Sequence, residues 1–571
     1  MPHDSSLNET VRAEIDAFKG HIQAFESDEL DDAAFRPIRL IQGVYGQRQA
    51  DANMMRIKIP GGRLSSEQAR AFAEIVQAWA PKGVSHLTTR QAVQIHYVRL
   101  EDVPKVMERA EAAGLTTREA CGNAIRTITC SPLAGIEAGE AFDPYPYAEA
   151  AFRHFLRRPE FARLPRKFKI AFSGSDADSA QTAINDLGFV ARVRSENGQI
   201  QRGFKVRVGG GLGASPQNAW IYSEFVPENR VLPLATAVLL HFDEKGERQN
   251  RMQARLKFLI RKEGFEAFRE AVADKLRGLP ECLPFPLAAA ESEPQGDLGA
   301  RPPQEGPGAY RTWLAHNTFA QRQAGFHAAL VRLELGDLTW GQWLALADLA
   351  ERWGAGTLRT TNDQNLVIPF VDSRRLADLY EGLNAAGLGA LGPGGIRDVT
   401  SCPGASTCAL ALTASKALAS KVGETLDGFL EEPELAGTRV RISGCPNSCG
   451  QHPIGTFGFH GQIRKIGEQA APYYQFLIGG GIGSEGAVFG RVVGRVPARR
   501  APLAVRAFVE AWRKTRVEGQ SLETWLRQLP LDAAKSLLEP VASLPDDDPE
   551  HFKDNGSEEI FVPGRAPAAK P

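Results

Sequence analysis

The chain has 571 residues, 67 Lys and Arg against 68 Asp and Glu, and 43% hydrophobic residues. One core cannot organise that length, so two or more domains are expected, and a net charge of −1 gives no basic field that would advertise nucleic acid. No apolar run is long enough to span a bilayer, residues 1–31 are polar with no signal-peptide core, and seven cysteines are too few for a disulfide framework; a reducing cytoplasm is expected.

Residues 10–33, rich in Glu, Asp, Ala and Phe, read as one or two amphipathic helices packed on the body. Residues 36–48 are too irregular and basic for a core element. Residues 54–59 alternate as a strand with Met55, Ile57 and Ile59 on one face, and Pro60-Gly61-Gly62 ends it. Ser65 or Ser66 caps a helix that runs to Trp79. Residues 87–96 read as one strand: Leu87, Val93 and Ile95 face a core, while Arg90, Gln94 and His96 share the other parity. Arg and Gln in mid-strand are unusual for a core, and a solvated face would account for them. Residues 164–170 open another strand with Lys167 and Lys169 on one face, readable as a lysine-guarded edge. The glycine runs at 209–213 and 479–483 fit the loose dinucleotide pattern, but no clear helix or acidic partner follows. A backbone N–H nest for carboxylates, or simple strand-end turns, fits them better. Residues 283–309 read as a linker and 544–571 as an extended polar tail.

The second half repeats the first. Thr88-Thr89-Arg90 matches Thr360-Thr361-Asn362 at an offset of 272, and residues 124–129 match 395–400 at 271. Ser173-Gly174 matches Ser443-Gly444, and the first glycine run matches the second, both at 270. So long a period excludes a solenoid and indicates two copies of an α/β unit related by a pseudo-twofold. The copies differ. Cys130 aligns with Cys402, and Ser175 and Ser179 stand where the second copy has Cys445 and Cys449. The first copy keeps Arg90 and Lys167 where the second has Asn362 and Gly437. One site built from unlike halves is expected.

Four of the seven cysteines form two pairs: Cys402 and Cys408 with five residues between, then Cys445 and Cys449 with three. Thiolates suit iron–sulfur clusters, zinc and Cu(I). Structural zinc pairs usually enclose about two to four residues. The wider gap therefore favours a cluster and leaves zinc open.

These pairs, with the motifs above, resemble the sirohaem and iron–sulfur sulfite and nitrite reductases over nearly the whole chain. The resemblance implies that Cys402, Cys408, Cys445 and Cys449 hold a [4Fe–4S] cluster and that Cys449 also ligates the sirohaem iron. It places Arg90, Arg126, Lys167 and Lys169 around the anion, and Gln91, Gln94, Arg166 and Asn447 against sirohaem. His96, His452 and His460 are then structural, because thiolate and substrate occupy the two faces of the iron. Cys121, Cys130 and Cys282 are expected as buried thiols.

The implied fold is α/β with mixed sheets, a pseudo-twofold repeat of ferredoxin-like half-domains and sirohaem- and cluster-binding domains. Residues 1–50 would form a helical and extended wrapping segment, 51–120 the first half-domain, and 121–282 the first sirohaem-site domain. After the linker at 283–309, residues 310–394 would form the second half-domain, 395–543 the iron–sulfur domain and 544–571 the tail. The implied activity, closest to the sulfite reductase haemoprotein subunit, is six-electron reduction of sulfite to sulfide. Electrons would pass from the cluster through Cys449 to the sirohaem iron. Nitrite reductases of the family usually carry Asn where this chain has Lys169, which favours sulfite over nitrite. With no convincing flavin or nicotinamide domain, the donor is expected to be a separate ferredoxin or flavoprotein subunit. A zinc- or cluster-stabilised binding module lacking sirohaem is the non-enzymatic alternative. No membrane or nucleic-acid role is expected.

Overall fold

Two five-stranded sheets exchange a strand with each other. In the first, Val44–Gly46, Asn53–Lys58, Ala92–Val98 and Val84–Leu87 are completed by Asp337–Thr339 from the second half of the chain. In the other, Thr318–Ala320, Phe326–Val331, Leu366–Asp372 and Thr357–Thr360 are completed by Arg63–Ser65 from the first half. The exchange pairs one edge of each sheet and fuses both units into one core. This computed structural model describes residues 9–196, 198–282, 303, 306, 308–426, 429, 432–545 and 547–564.

Each exchanged strand leads straight into a helix over the shared core. Ser65 and Thr339 form matching capping boxes with Gln68 and Gln342, starting helices Ser66–Trp79 and Trp340–Trp353. The two helices pack through Phe72 stacked on Trp343 at 5.0 Å, and the Trp343 indole N–H donates to Ser85 Oγ at 2.8 Å.

Two larger sheets follow one plan. Thr129–Cys130, Ile170–Ser173 and Leu187–Glu196 run parallel, and Gln199–Val208 and Trp220–Pro227 continue antiparallel. Thr400–Ser401, Val440–Ser443 and Phe457–Ile466, then Gln469–Ile478 and Arg491–Pro497, repeat it. The pseudo-twofold passes between Gln181 and Gln451, both left-handed, which meet through a 2.6 Å amide–amide hydrogen bond. The fold is thus mixed α/β with an internal repeat.

Several sequence readings change. Residues 32–41 are a helix, Asp32–Ile41, although Pro37 lies within it. Asp31 caps it, and Phe35 anchors it alone, stacked between Phe18 and Phe25. One buried residue is too weak a pattern to find in a sequence. Helix Gly308–Asn317 starts inside the stretch read as linker, much of which lies outside the described residues. The tail is no free extension: His551, Asp554 and Asn555 are buried. Cys282 is exposed, whereas Cys121 and Cys130 are buried as expected. Among the described residues no helix is long and apolar enough to cross a membrane.

Trp343→Ala removes both the stack and the shared hydrogen bond. A loss of about 3–5 kcal/mol is expected in denaturant unfolding. A loss below about 1 kcal/mol would show that the exchanged helices do not depend on this contact.

Candidate active site

The stretch 87–96 is not one strand. The Thr88 hydroxyl accepts the N–H groups of Arg90 and Ala92, both at 3.2 Å, and Gln91 turns left-handed at φ 50°. This side-chain turn breaks the strand into a hairpin and throws Arg90 out at its tip. Thr361 does the same for Asp363 and Asn365, with Gln364 at φ 66°. The structural register there is 273, so Asp363, not Asn362, is the counterpart of Arg90.

Gln91 is also placed differently from the expectation of a sirohaem contact. It is fully buried and donates to the carbonyls of Cys130 and Thr360, while its own oxygen accepts the Cys130 N–H. Gln364 mirrors it, donating to Leu87 O and accepting from Ser401 N. The two glutamines bracket the halves together. Their partners make Ser401 the mate of Cys130, so Ser131, not Cys130, matches Cys402. In the first copy Ser131 bonds Ser179 at 2.7 Å, and Ser175 donates to Glu137 at 3.0 Å. Glu137 holds the place of Cys408, since Glu137 N–Leu133 O repeats Cys408 N–Gly404 O.

Between the hairpin tip and the larger sheets lies an open-mouthed cavity. Arg90, Arg126, Lys167, Lys169, Gln94, Asn447, Cys402 and Cys449 all line it. Arg166, Gln91, Cys408 and Cys445 do not. Lys167 and Lys169 immediately precede strand Ile170–Ser173 instead of guarding an edge. Asp186, clamped by Arg255, accepts the Lys169 backbone N–H at 2.9 Å and sets where the strand begins.

The cations are desolvated. Burial, aided by neighbouring cations, holds Lys167 down to about 7 and Lys169 well below its ordinary value. Burial also lowers Arg90 to about 9, although Asp186 opposes it. Arg90 donates to Asn185 Oδ1 at 2.7 Å and to Ile170 O at 3.0 Å, leaving its Nε without a partner. Arg126 is fixed by the Ala120 and Gly122 carbonyls. Arg56, His86 and Gln451 also line the cavity and were not singled out from sequence. Arg56 sits opposite Gln94 in the strand ladder, which is a tertiary pairing with no local signature.

The four thiols lie close enough to act on one another, with Cys402 and Cys449 on the cavity wall. Burial, and after it nearby Cys449, pushes Cys402 up to about 12 and Cys445 to about 11. Cys408 is raised by burial and Cys449 as well. Donors already aim at them: Gly444 N–H at 3.2 Å from Cys402 Sγ, Leu410 and Ala411 N–H at Cys408, and Asn447 N–H at Cys445. Arg48 and Gln49 hold the loop between Cys402 and Cys408 by its carbonyls, from Thr407, Cys408 and Ala411 to Ser406. Among the described residues no three of His, Cys, Asp and Glu are placed to hold a single metal ion. Four thiolate sites with backbone donors fit a cluster. The cations and the Arg90 Nε–H, a donor with no partner among the described residues, fit a macrocycle bearing carboxylates.

The glycine runs do not form a nest. The N–H groups of Gly209, Gly211, Gly479 and Gly480 already donate to the carbonyls of Asp186, Gln217, Thr456 and Gly455. A Cβ on Gly210 would stand 2.5 Å from Ala183 O, so close backbone packing explains that glycine.

Family models match most of this architecture. The nitrite and sulphite reductase 4Fe-4S domain matches residues 121–278 and 393–542. The nitrite/sulfite reductase ferredoxin-like half domain matches 45–113 and 319–386. The chain belongs to the nitrite and sulfite reductase family. It is an oxidoreductase whose cofactors are sirohaem and a [4Fe–4S] cluster. The reductase is 32% identical to the assimilatory ferredoxin-dependent nitrite reductase of Haloferax mediterranei, covering 93% of this chain and 92% of that one. It is also 32% identical to the sulfite reductase [ferredoxin] of Mycobacterium tuberculosis, over 83% of this chain and 81% of that one. The solved NirA protein of M. tuberculosis superposes with a TM-score of 0.77 at 28% identity, covering 94% of the reductase and 98% of NirA.

Cys449 alone of the four thiols is both exposed and on the cavity wall. Cys449→Ser holoenzyme is expected to lose the visible band of the coupled cofactors. A wild-type spectrum would remove Cys449 from the bridging position.

Proposed function

We propose that the reductase converts sulfite to sulfide, with Arg90, Arg126, Lys167 and Lys169 binding the anion. The observation that carries this reading is Lys169, sequestered in the cavity beside Lys167 and Arg90. Sulfite presents three oxygens and up to two negative charges, whereas nitrite presents two oxygens and one. A second lysine adds a donor that the smaller anion does not need. Sirohaem and the cluster, when bound, supply the iron site and the electrons.

The chain's own groups do the rest. Fixed guanidinium groups stabilise charge on departing oxygens without reorganising. Each oxygen that leaves as water takes two protons, and an amine held near neutrality suits that transfer. Lys167, at about 7, is in that range. Gln94 and Asn447 supply amide donors toward the macrocycle's carboxylates, and Arg166 stands just outside the wall. The four cysteines would hold the cluster, and Cys449 would also serve the sirohaem.

We further propose a ferredoxin donor, in line with the names of the Haloferax and Mycobacterium relatives, and a cytoplasmic location. Nitrite is the second reading, favoured by the coverage of the Haloferax nitrite reductase, 93% of this chain.

Steady-state kcat/KM with a reduced dye donor, measured for both anions on one holoenzyme preparation, tests the substrate. Sulfite should be preferred, and Lys169→Asn should lower sulfite turnover at least tenfold more than nitrite turnover. A nitrite preference, or equal losses, would overturn the reading. The pH profile is a second check. The folded-state value of Lys167 lies below its ordinary value, so its charge is present below about 7 and is lost above it. KM for the anion should therefore rise as pH passes that point, and Lys167→Arg, which stays charged, should flatten the rise.

A further inference from the structure

The family models end at residue 542, yet the chain continues into a folded segment. Its 3₁₀ turn Pro549–Phe552 buries His551 against Tyr473, with Nδ1 2.8 Å from the phenol oxygen and the rings stacked. Lys553 and Ile560 pair as a bridge, and Phe561 N–H returns to Phe552 O, closing a small loop. Arg499 donates to Ser557 O and pairs with Glu558 at 2.8 Å. Asn555 donates to Ala498 O at 2.7 Å.

At the centre of this loop is Asp554, only 3% exposed. Its Oδ2 accepts the backbone N–H of Ala414 at 2.8 Å, and its Oδ1 accepts the N–H of Asn555. The next residue, Ser415, donates to Cys402 O at 2.9 Å and lies 3.3 Å from Cys402 Sγ. The adjoining Leu412 and Thr413 N–H groups grip Gly444 O, beside the N–H that points at Cys402. Tyr474, buried behind this loop, feels both Asp554 and Cys402, so the carboxylate and the thiol share one low-dielectric neighbourhood. No side-chain ion pair neutralises Asp554 among the described residues. Arg499 acts on it only at a distance.

We propose that Asp554 is a positioning residue for the iron–sulfur cluster: it seats the loop carrying Cys402 and Cys408, and its buried charge lowers the cluster's reduction potential. An added electron makes the cluster more negative, and a fixed anion nearby opposes that, while the amide donors on the sulfurs act the other way. Asp554 and the N-terminal Arg48 thus hold the same loop from opposite ends of the chain. The inference rests on the cluster being bound by the four cysteines.

Two variants of the full-length holoenzyme separate the roles. Asp554→Asn keeps an acceptor for Ala414 N–H and removes the charge. Asp554→Ala removes both. At pH 8, in an EPR-monitored reductive titration with dithionite, Asp554→Asn should keep wild-type iron content. Its reduced-to-oxidised ratio at the wild-type midpoint should rise about tenfold, which is 59 mV for one electron. Glu550→Gln, on the same segment but half-exposed and turned to Lys553, should leave the midpoint unchanged. Asp554→Ala should release iron to a ferrous chelator about tenfold faster in air. An unchanged midpoint in Asp554→Asn, with five irons per chain in the wild type (four in the cluster and one in sirohaem), overturns the charge role and leaves the cluster standing. Wild-type iron release in Asp554→Ala overturns the seating role. A wild type without a [4Fe–4S] signal would instead remove the cluster assignment beneath both. If Asp554→Ala does not fold, Asp554→Asn alone decides.

Discussion

Unneutralised positive charge in a desolvated cavity is the constraint on which this structure depends. Lys167, Lys169 and Arg90 are brought together where burial and mutual repulsion penalise every one of them. Among the described residues Asp186 opposes the charge of Arg90 and Lys169, but it is already committed to Arg255 and the Lys169 backbone. A polycarboxylate macrocycle and a small anion complete the electrostatics.

Holding such a site requires a frame that does not relax. The exchange of strands Arg63–Ser65 and Asp337–Thr339 supplies it by making neither half-domain complete alone. Gln91 and Gln364 extend the same reciprocity, each reaching the other half's strand-end carbonyl. The hairpin that carries Arg90 is thereby fixed to the loop that carries Cys402 through Gln364 and Ser401.

The two copies show how one site arises from a symmetric ancestor plan. Across the axis lies a second cavity that shares Gln181 and Asn362 with the first. There Asp363 replaces Arg90 and pairs with Arg441 at 2.5 Å and Arg439 at 3.7 Å, so part of the positive charge is answered by the chain itself. The positions of the four cysteines hold Ser131, Glu137, Ser175 and Ser179, hydrogen-bonded in pairs. One side has kept uncompensated cations and thiols. The other replaces the thiols with paired polar side chains and sets an aspartate where the first has Arg90.

By itself, the sequence determined the cysteine spacing, the repeat, the helix caps at Ser65 and the alternation of Met55, Ile57 and Ile59, because each is a local pattern set by chain geometry. It also carried the basic residues, but not their common destination. Only the tertiary structure decided that Thr88 breaks a strand, that Gln91 braces rather than faces the cavity, and that the register shifts to 273 at the hairpin. Helix Asp32–Ile41 and the buried 3₁₀ turn at His551 were equally hidden, since each is held by one or two buried anchors against distant strands and helices. A hydrogen bond between residues hundreds of positions apart leaves no period to read, so what such bonds decide is settled only when the chain folds.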